Sequence, residues 1–203
     1  MHRRIVLKSA LGMLLPGFAQ AALNPVGPGI SRAWVSHPVR VLQKCPLWCW
    51  AASVSMVFAS NDHPTDQMKI VQRSLGGAMA CTTAMPTTIG QDLSQHWVDD
   101  NGDDFDSTVT AAYDVWNGIY TLSNAFIVNE LSNDRPLLYC NSHHAMLLVA
   151  VDFIATPMGP NIIAAGVVDP WWQAPAFHPL TPAELRPAHL GGQMNFLAAA
   201  IVS

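Results

Sequence analysis

Charge is scarce in this sequence. Among 203 residues, 10 Lys and Arg stand against 14 Asp and Glu, 12% in all, for a net charge of −4. Without a surplus of cations there is no basic face to neutralise phosphates, so no nucleic-acid partner is expected. Long apolar runs are missing as well. Nothing approaches the roughly 20 apolar residues of a membrane-spanning helix, and no stable membrane insertion is expected. The 13 Gly and 15 Pro are scattered, which excludes collagen, linker arrays and a disordered chain. Cysteine is limited to Cys45, Cys49, Cys81 and Cys140, too few for a disulfide scaffold. The Cys45–Cys49 spacing is one residue longer than the common zinc knuckle, and no second close pair follows, so neither metal nor cofactor is expected.

What is present is 50% hydrophobic. A chain of this length supports one domain that buries about 70% of its unfolded surface. Residues 1–8 carry Arg3, Arg4 and Lys8 and no acid, and residues 9–18 are apolar. Ala19-Gln20-Ala21 then offers the small-x-small pattern of a cleavage site. Residues 1–21 therefore read as an export signal, and Arg3-Arg4-Ile5-Val6-Leu7-Lys8 is similar to the twin-arginine type. Cleavage before Ala22 takes the charge from −4 to −7 and leaves 22–203 as one mature, periplasmic or secreted domain.

The pattern along that domain changes midway. Residues 23–38 are rich in Pro and Gly and read as a lead-in arm. Trp50, Val54, Val57 and Phe58 draw one buried stripe along a helix beginning at Cys49. Thr65 is placed to cap a second helix through Met68, Val71 and Leu75, stopped by Gly76-Gly77. A short helix over residues 123–131 follows. Residues 145–154 and 162–168 are then apolar and rich in Val, Leu and Ile, joined by Thr156-Pro157-Met158-Gly159-Pro160-Asn161. Thr181-Pro182-Ala183-Glu184 has a capping-box pattern, and residues 194–202 make a last strand. A helical half over about 43–130 and a sheet half over about 135–203 imply an α+β fold.

Three residues carry chemistry. Cys49 stands on the first turn of its helix, where unpaired N–H groups and the helix dipole favour an anion. A free thiol is only about 3% thiolate at pH 7, so a nucleophilic role needs a neighbouring imidazolium as well. The hairpin supplies one, because His144 opens its outgoing strand and Asp169 closes the returning strand, side by side. Strand alternation sends the adjacent His143 to the opposite face. Nucleophile, proton carrier and orienting acid then meet in one place. Asp99-Asp100-Asn101-Gly102-Asp103-Asp104 fails the calcium-loop pattern, since Asp104 stands where Gly is needed, and reads as a solvated acidic loop.

Gln43-Lys44-Cys45-Pro46-Leu47-Trp48-Cys49-Trp50-Ala51 resembles the nucleophile motif of papain-like cysteine proteases, with Gln six residues before Cys-Trp. His144-Ala145-Met146 and Asp169-Pro170-Trp171 are similar to that family's other two motifs, and Trp48-Cys49-Trp50-Ala51-Ala52 to its small bacterial members, which include secreted effectors. The resemblance covers about 43–81 and 130–172, and residues 82–129 carry none. It implies a papain-like fold, an N-terminal helical part carrying Cys49 packed on a C-terminal antiparallel sheet carrying His144 and Asp169. It implies that Cys49 attacks a carbonyl carbon, His144 carries the proton and Asp169 orients the ring. Gln43 would donate to the oxyanion, and Trp171 would shield the His–Asp hydrogen bond. It also implies a Cys45–Cys81 disulfide. Protein or peptide is then the substrate, and an effector or toxin role would bring an immunity or inhibitor protein as partner. A thiol amidase acting on peptidoglycan with the same triad, and a silent papain-fold binding module, stand as alternatives.

Overall fold

The structure is a computed structural model that describes residues 27–203, together with the two-residue strand β1, Met13–Leu14. The export signal read over residues 1–21 therefore lies, apart from the backbone of β1, outside the described residues. Strands β2 (Ile30–Trp34) and β3 (Val39–Arg40) precede three helices: α1 (Cys49–Ala59), α2 (Gln67–Ser74) and α3 (Pro86–Asp92). Strands β4 (His96–Val98), β5 (Asp104–Asp114) and β6 (Ile119–Tyr120) lead to α4 (Asn124–Ser132). Then come β7 (Leu137–Cys140), β8 (Ala145–Thr156), β9 (Gly159–Val168), β10 (Phe177–Pro179), the short helix α5 (Pro182–Leu185) and β11 (Phe196–Val202). The result is a mixed α+β chain around a nine-stranded sheet whose pairings are all antiparallel. No helix among the described residues is long and apolar enough to cross a membrane.

The core of the sheet is the hairpin β8–β9, turned by Pro157 and Met158, with Gly159 at φ 109° where an L side chain is strained. The first eight residues of β8 are all buried. That is possible because α1 and α4 both pack against this strand, which covers it on either side. β7 pairs with the first half of β8 and β2 with the second half, on the same edge. β11 joins β7 to β5.

Four expectations are corrected here. The stretch 43–130 is not helical throughout, because β5 lies within it and pairs with β11 in the same sheet. Its acidic beginning, Asp104 and Asp106, hid a strand whose later residues, Ala111 to Asp114, are all buried. The lead-in arm contains β2, anchored by a two-point ion pair from Arg32 Nε and Nη2 to Asp152 at 2.6 and 2.9 Å. α1 has no single buried stripe, since every residue from Trp50 to Phe58 is buried. It is a central helix, with α2 and α3 against it as well as the sheet. Its buried Ser55 is accommodated by donating to the Thr65 carbonyl, and Asp66, not Thr65, caps α2 by accepting from Met68 N at 2.8 Å. The capping box at Thr181 and Glu184 is present. In the acidic loop Asp99 is buried and accepts from Asn101 N and Asp103 N, which turns the chain into β5.

Candidate active site

Cys49 is the first residue of α1 and is half-buried. The chain ahead of it is fixed from several sides. Cys45 is bonded to Cys81. Trp48 Nε1 and Trp50 Nε1 donate to the carbonyls of Ala80 and Thr82 at 2.9 and 3.1 Å. Gln67 accepts from Lys44 N and donates to the Leu42 carbonyl, both at 2.8 Å. The disulfide that the resemblance implies thus ties the segment leading to Thr83, which lines the cleft, to the start of α1. Cys140 is a free, buried thiol whose burial pushes it far above its ordinary range, and it acts as core.

His144 is placed by a turn. Asn141 Oδ1 accepts from the backbone N–H of His143 and His144 at 2.9 and 2.8 Å. Residues 141–144 are the loop between β7 and β8, so strand alternation does not apply to them. Both histidines line the cleft, which corrects the expectation that His143 points away. Asp169 follows the last residue of β9, where Leu147 pairs with Val168. Its loop is clamped by Arg40, which donates to the carbonyls of Asp169 and Trp171 at 2.8 Å and of Ala174 at 3.1 Å. The Gln43 N–H adds a bond to the Pro170 carbonyl at 3.0 Å.

The geometry at the centre is compact. His144 Nε2 lies 2.7 Å from Asp169 Oδ1, which also accepts from Trp171 N at 2.7 Å. With Nε2 committed to the carboxylate, Nδ1 is the ring nitrogen left for a thiol. Burial would drive the proton off His144, but hydrogen bonds to Asp169 and Cys49 outweigh it and push its pKa up to about 9. Burial likewise opposes the Asp169 charge, and its bonds to His144, His178 and Trp171 N win, holding it well below the carboxylate range. Cys49, His143, His144, Asp169 and Trp171 line one cleft of about 290 Å³ with Pro46, Leu47 and Thr83. Trp171 is half-buried on its rim and stacks on Trp172 at 4.3 Å. A larger cavity, about 740 Å³ between α3 and β5, shares no lining residue with this cleft. Cys49, His144 and Asp169 are in the smaller one.

Gln43 is not delivered as expected. Its Nε2 donates to the carbonyls of Cys45 and Pro46, both at 2.9 Å, and it does not line the cleft. An amide nitrogen has two protons, and both are taken by the turn leading into α1. Its Oε1 is buried without a partner. Helix geometry instead leaves the first N–H groups of α1, that of Cys49 among them, without a partner inside the helix.

One residue escaped the reading of the sequence. His178, on β10, places Nε2 3.1 Å from Asp169 Oδ2. The available signal was a Pro-rich return over residues 170–177 that brings the chain back antiparallel to β9, with His178 opposite Val167. Among the described residues no group of three or more His, Cys, Asp or Glu side chains is placed to hold a metal ion.

No family model and no curated protein matches the sequence. A solved structure, that of UfSP from C. elegans, aligns over 88% of this chain and 35% of its own, at 15% identity and a TM-score of 0.45. The chain thus spans about a third of that protein's length.

Proposed function

We propose that this chain is an exported papain-like cysteine protease of the small bacterial type, hydrolysing peptide bonds through an acyl-enzyme. The observation that carries the reading is the 2.7 Å bond between His144 and Asp169 in the cleft that Cys49 also lines. In this reading the Cys49 sulfur, as thiolate beside the His144 imidazolium, adds to the carbonyl carbon. The oxygen that takes up the electron pair is held by first-turn N–H groups of α1, including that of Cys49. His144 passes its Nδ1 proton to the amine as the C–N bond breaks, which leaves a thioester and a neutral ring. Water then gives its proton to Nδ1 and its oxygen to the carbonyl carbon, and the thiolate leaves. Asp169 stays ionised throughout and keeps the ring turned, while Trp171 on the rim limits water at their bond.

The test is covalent labelling with an epoxide inhibitor such as E-64, alongside hydrolysis of denatured casein. Wild type labels once, at Cys49, and cleaves casein; Cys49→Ala does neither. A wild-type protein that neither labels nor cleaves casein under mild reduction overturns the protease reading, and cleavage of purified cell-wall sacculi instead transfers it to the amidase. Export is tested by fractionation, with a mature N-terminus at Ala22 as the expected result. An effector or toxin role is part of the same proposal, and growth inhibition on periplasmic expression, lost in Cys49→Ala, supports it.

A further inference from the structure

Asp169 has two imidazole neighbours, and the chemistry above uses only one. Oδ1 takes His144 and Trp171 N; Oδ2 takes His178 Nε2 at 3.1 Å. The other ring nitrogen of His178, Nδ1, lies 3.2 Å from the Pro179 carbonyl oxygen. A carboxylate and a carbonyl can only accept, and a neutral imidazole has a single N–H. Both contacts are hydrogen bonds only when both ring nitrogens carry protons. In this arrangement His178 is an imidazolium.

Its position is built into the fold. β10 pairs with β9 so that His178 stands opposite Val167 and Pro179 opposite Gly166. A side chain on Gly166 would collide with the Phe177 ring, so glycine there allows β10 to lie close. The charged groups around His178 are Asp169 on the loop after β9 and Glu184 on α5, both of which favour its cation. Beyond Asp169 stand the cations His144 and Arg40.

We propose that His178 is a positioning residue for the Asp169 carboxylate: it grips Oδ2, turns Oδ1 toward His144 and draws off part of the carboxylate's charge. The inference rests on the protease reading and adds a second cation to its acid–base set. Two effects follow. With both oxygens occupied the carboxylate cannot rotate away from His144. A shared carboxylate also holds the His144 proton less tightly, so the ring can release it to the leaving amine.

The experiment uses the full chain with His178→Gln, which keeps an N–H donor without charge, and His178→Phe, which removes both. Two profiles are recorded against pH: kcat/KM on a peptide amide, and alkylation of Cys49 by iodoacetate, followed by mass spectrometry of the Cys49 peptide. Iodoacetate is drawn to the imidazolium, so the alkaline limb of its rate reports the His144 proton without needing any substrate. His178→Phe should lose roughly 10-fold to 100-fold in kcat with KM little changed, and His178→Gln should regain most of that. In His178→Gln, which keeps the grip on Oδ2 and loses only the charge, the alkaline limb should move up by about half to one pH unit. A limb unmoved within about 0.2 pH unit in His178→Gln overturns the proposal. If wild type cleaves no amide but its alkylation limb still moves with His178, the protease reading falls and the positioning role stands. Should His178→Phe fail to fold by circular dichroism, His178→Gln decides alone.

Discussion

Replacing Asp169 by Asn asks how much of the His144 proton affinity one carboxylate supplies. Asn retains an oxygen that accepts from His144 Nε2 and loses the charge. The rise of His144 from 6.5 to about 9 corresponds to about 3 kcal/mol, net of the burial that opposes it. Asp169 and Cys49 share that gain, and with 22% of the His144 side chain exposed, solvent screening trims it further. The carboxylate's part is then roughly 1.5–2 kcal/mol, or about 1–1.5 pH units. In a kcat/KM profile the alkaline limb should sit near pH 9 in wild type and near about 7.5–8 in Asp169→Asn. Folding stability provides an independent readout. Because the folded pKa of His144 lies above the unfolded one, its stabilisation is complete below about pH 6.5 and is lost as pH rises to about 9. The variant should therefore melt roughly 3–8 °C below wild type at pH 6, with a smaller gap at pH 10. An alkaline limb that stays within about 0.3 pH unit of wild type would falsify the claim that Asp169 holds the His144 proton.

Two further predictions concern stability. Cys45 and Cys81 close a loop of sequence separation 36, so removing the bridge with Cys45→Ser and Cys81→Ser should cost about 3–4 kcal/mol of unfolding free energy in denaturant titrations. A loss under about 1 kcal/mol would mean that the Trp48 and Trp50 hydrogen bonds hold this segment unaided. Asp92 is pushed up to about 7 by burial, against the Ser74 hydrogen bonds and the Arg73 charge. Ser74 Oγ donates toward both Asp92 carboxylate oxygens at 2.9 Å and toward Ile70 O at 2.7 Å, and its single proton, shared among them, offsets the buried charge only in part. The folded state thus keeps a proton that the unfolded chain gives up between about pH 4 and 7, and stability falls as pH rises through that window. Asp92→Asn should be stabilising by about 2–4 kcal/mol at pH 8 and nearly neutral at pH 4, and an equal effect at both would count against a buried, proton-holding acid.

Local chemistry explains which parts of the fold could be read in advance. A cap and its partner lie within one turn, so Thr181 and Glu184 announce α5. The β8–β9 hairpin advertises itself through two Val-rich runs and a Pro-Met-Gly turn. Elements whose stability comes from distant partners were harder to see. β5 begins with charged residues and gains its place from β11, about ninety residues later in the chain. α1 is surrounded on all sides, so no face stayed polar to mark its orientation. At the site, Gln43 shows the same limit: residue type names a donor, but only the fold says that its protons face Cys45 and Pro46.

The order of residues alone was enough to set the inventory and its near neighbourhoods: a thiol on the first turn of α1, a histidine ahead of one apolar strand, an acid behind the next. Those features rest on interactions spanning only a few positions, which the chain carries wherever it goes. Which groups meet was decided by closure of the sheet. Arg40 reaches the Asp169 carbonyl across 129 positions, and His178 reaches the Asp169 carboxylate only because β10 folds back along β9. Contacts of that kind exist only once the apolar strands have been buried together, and so they leave no periodic trace in the chain that makes them.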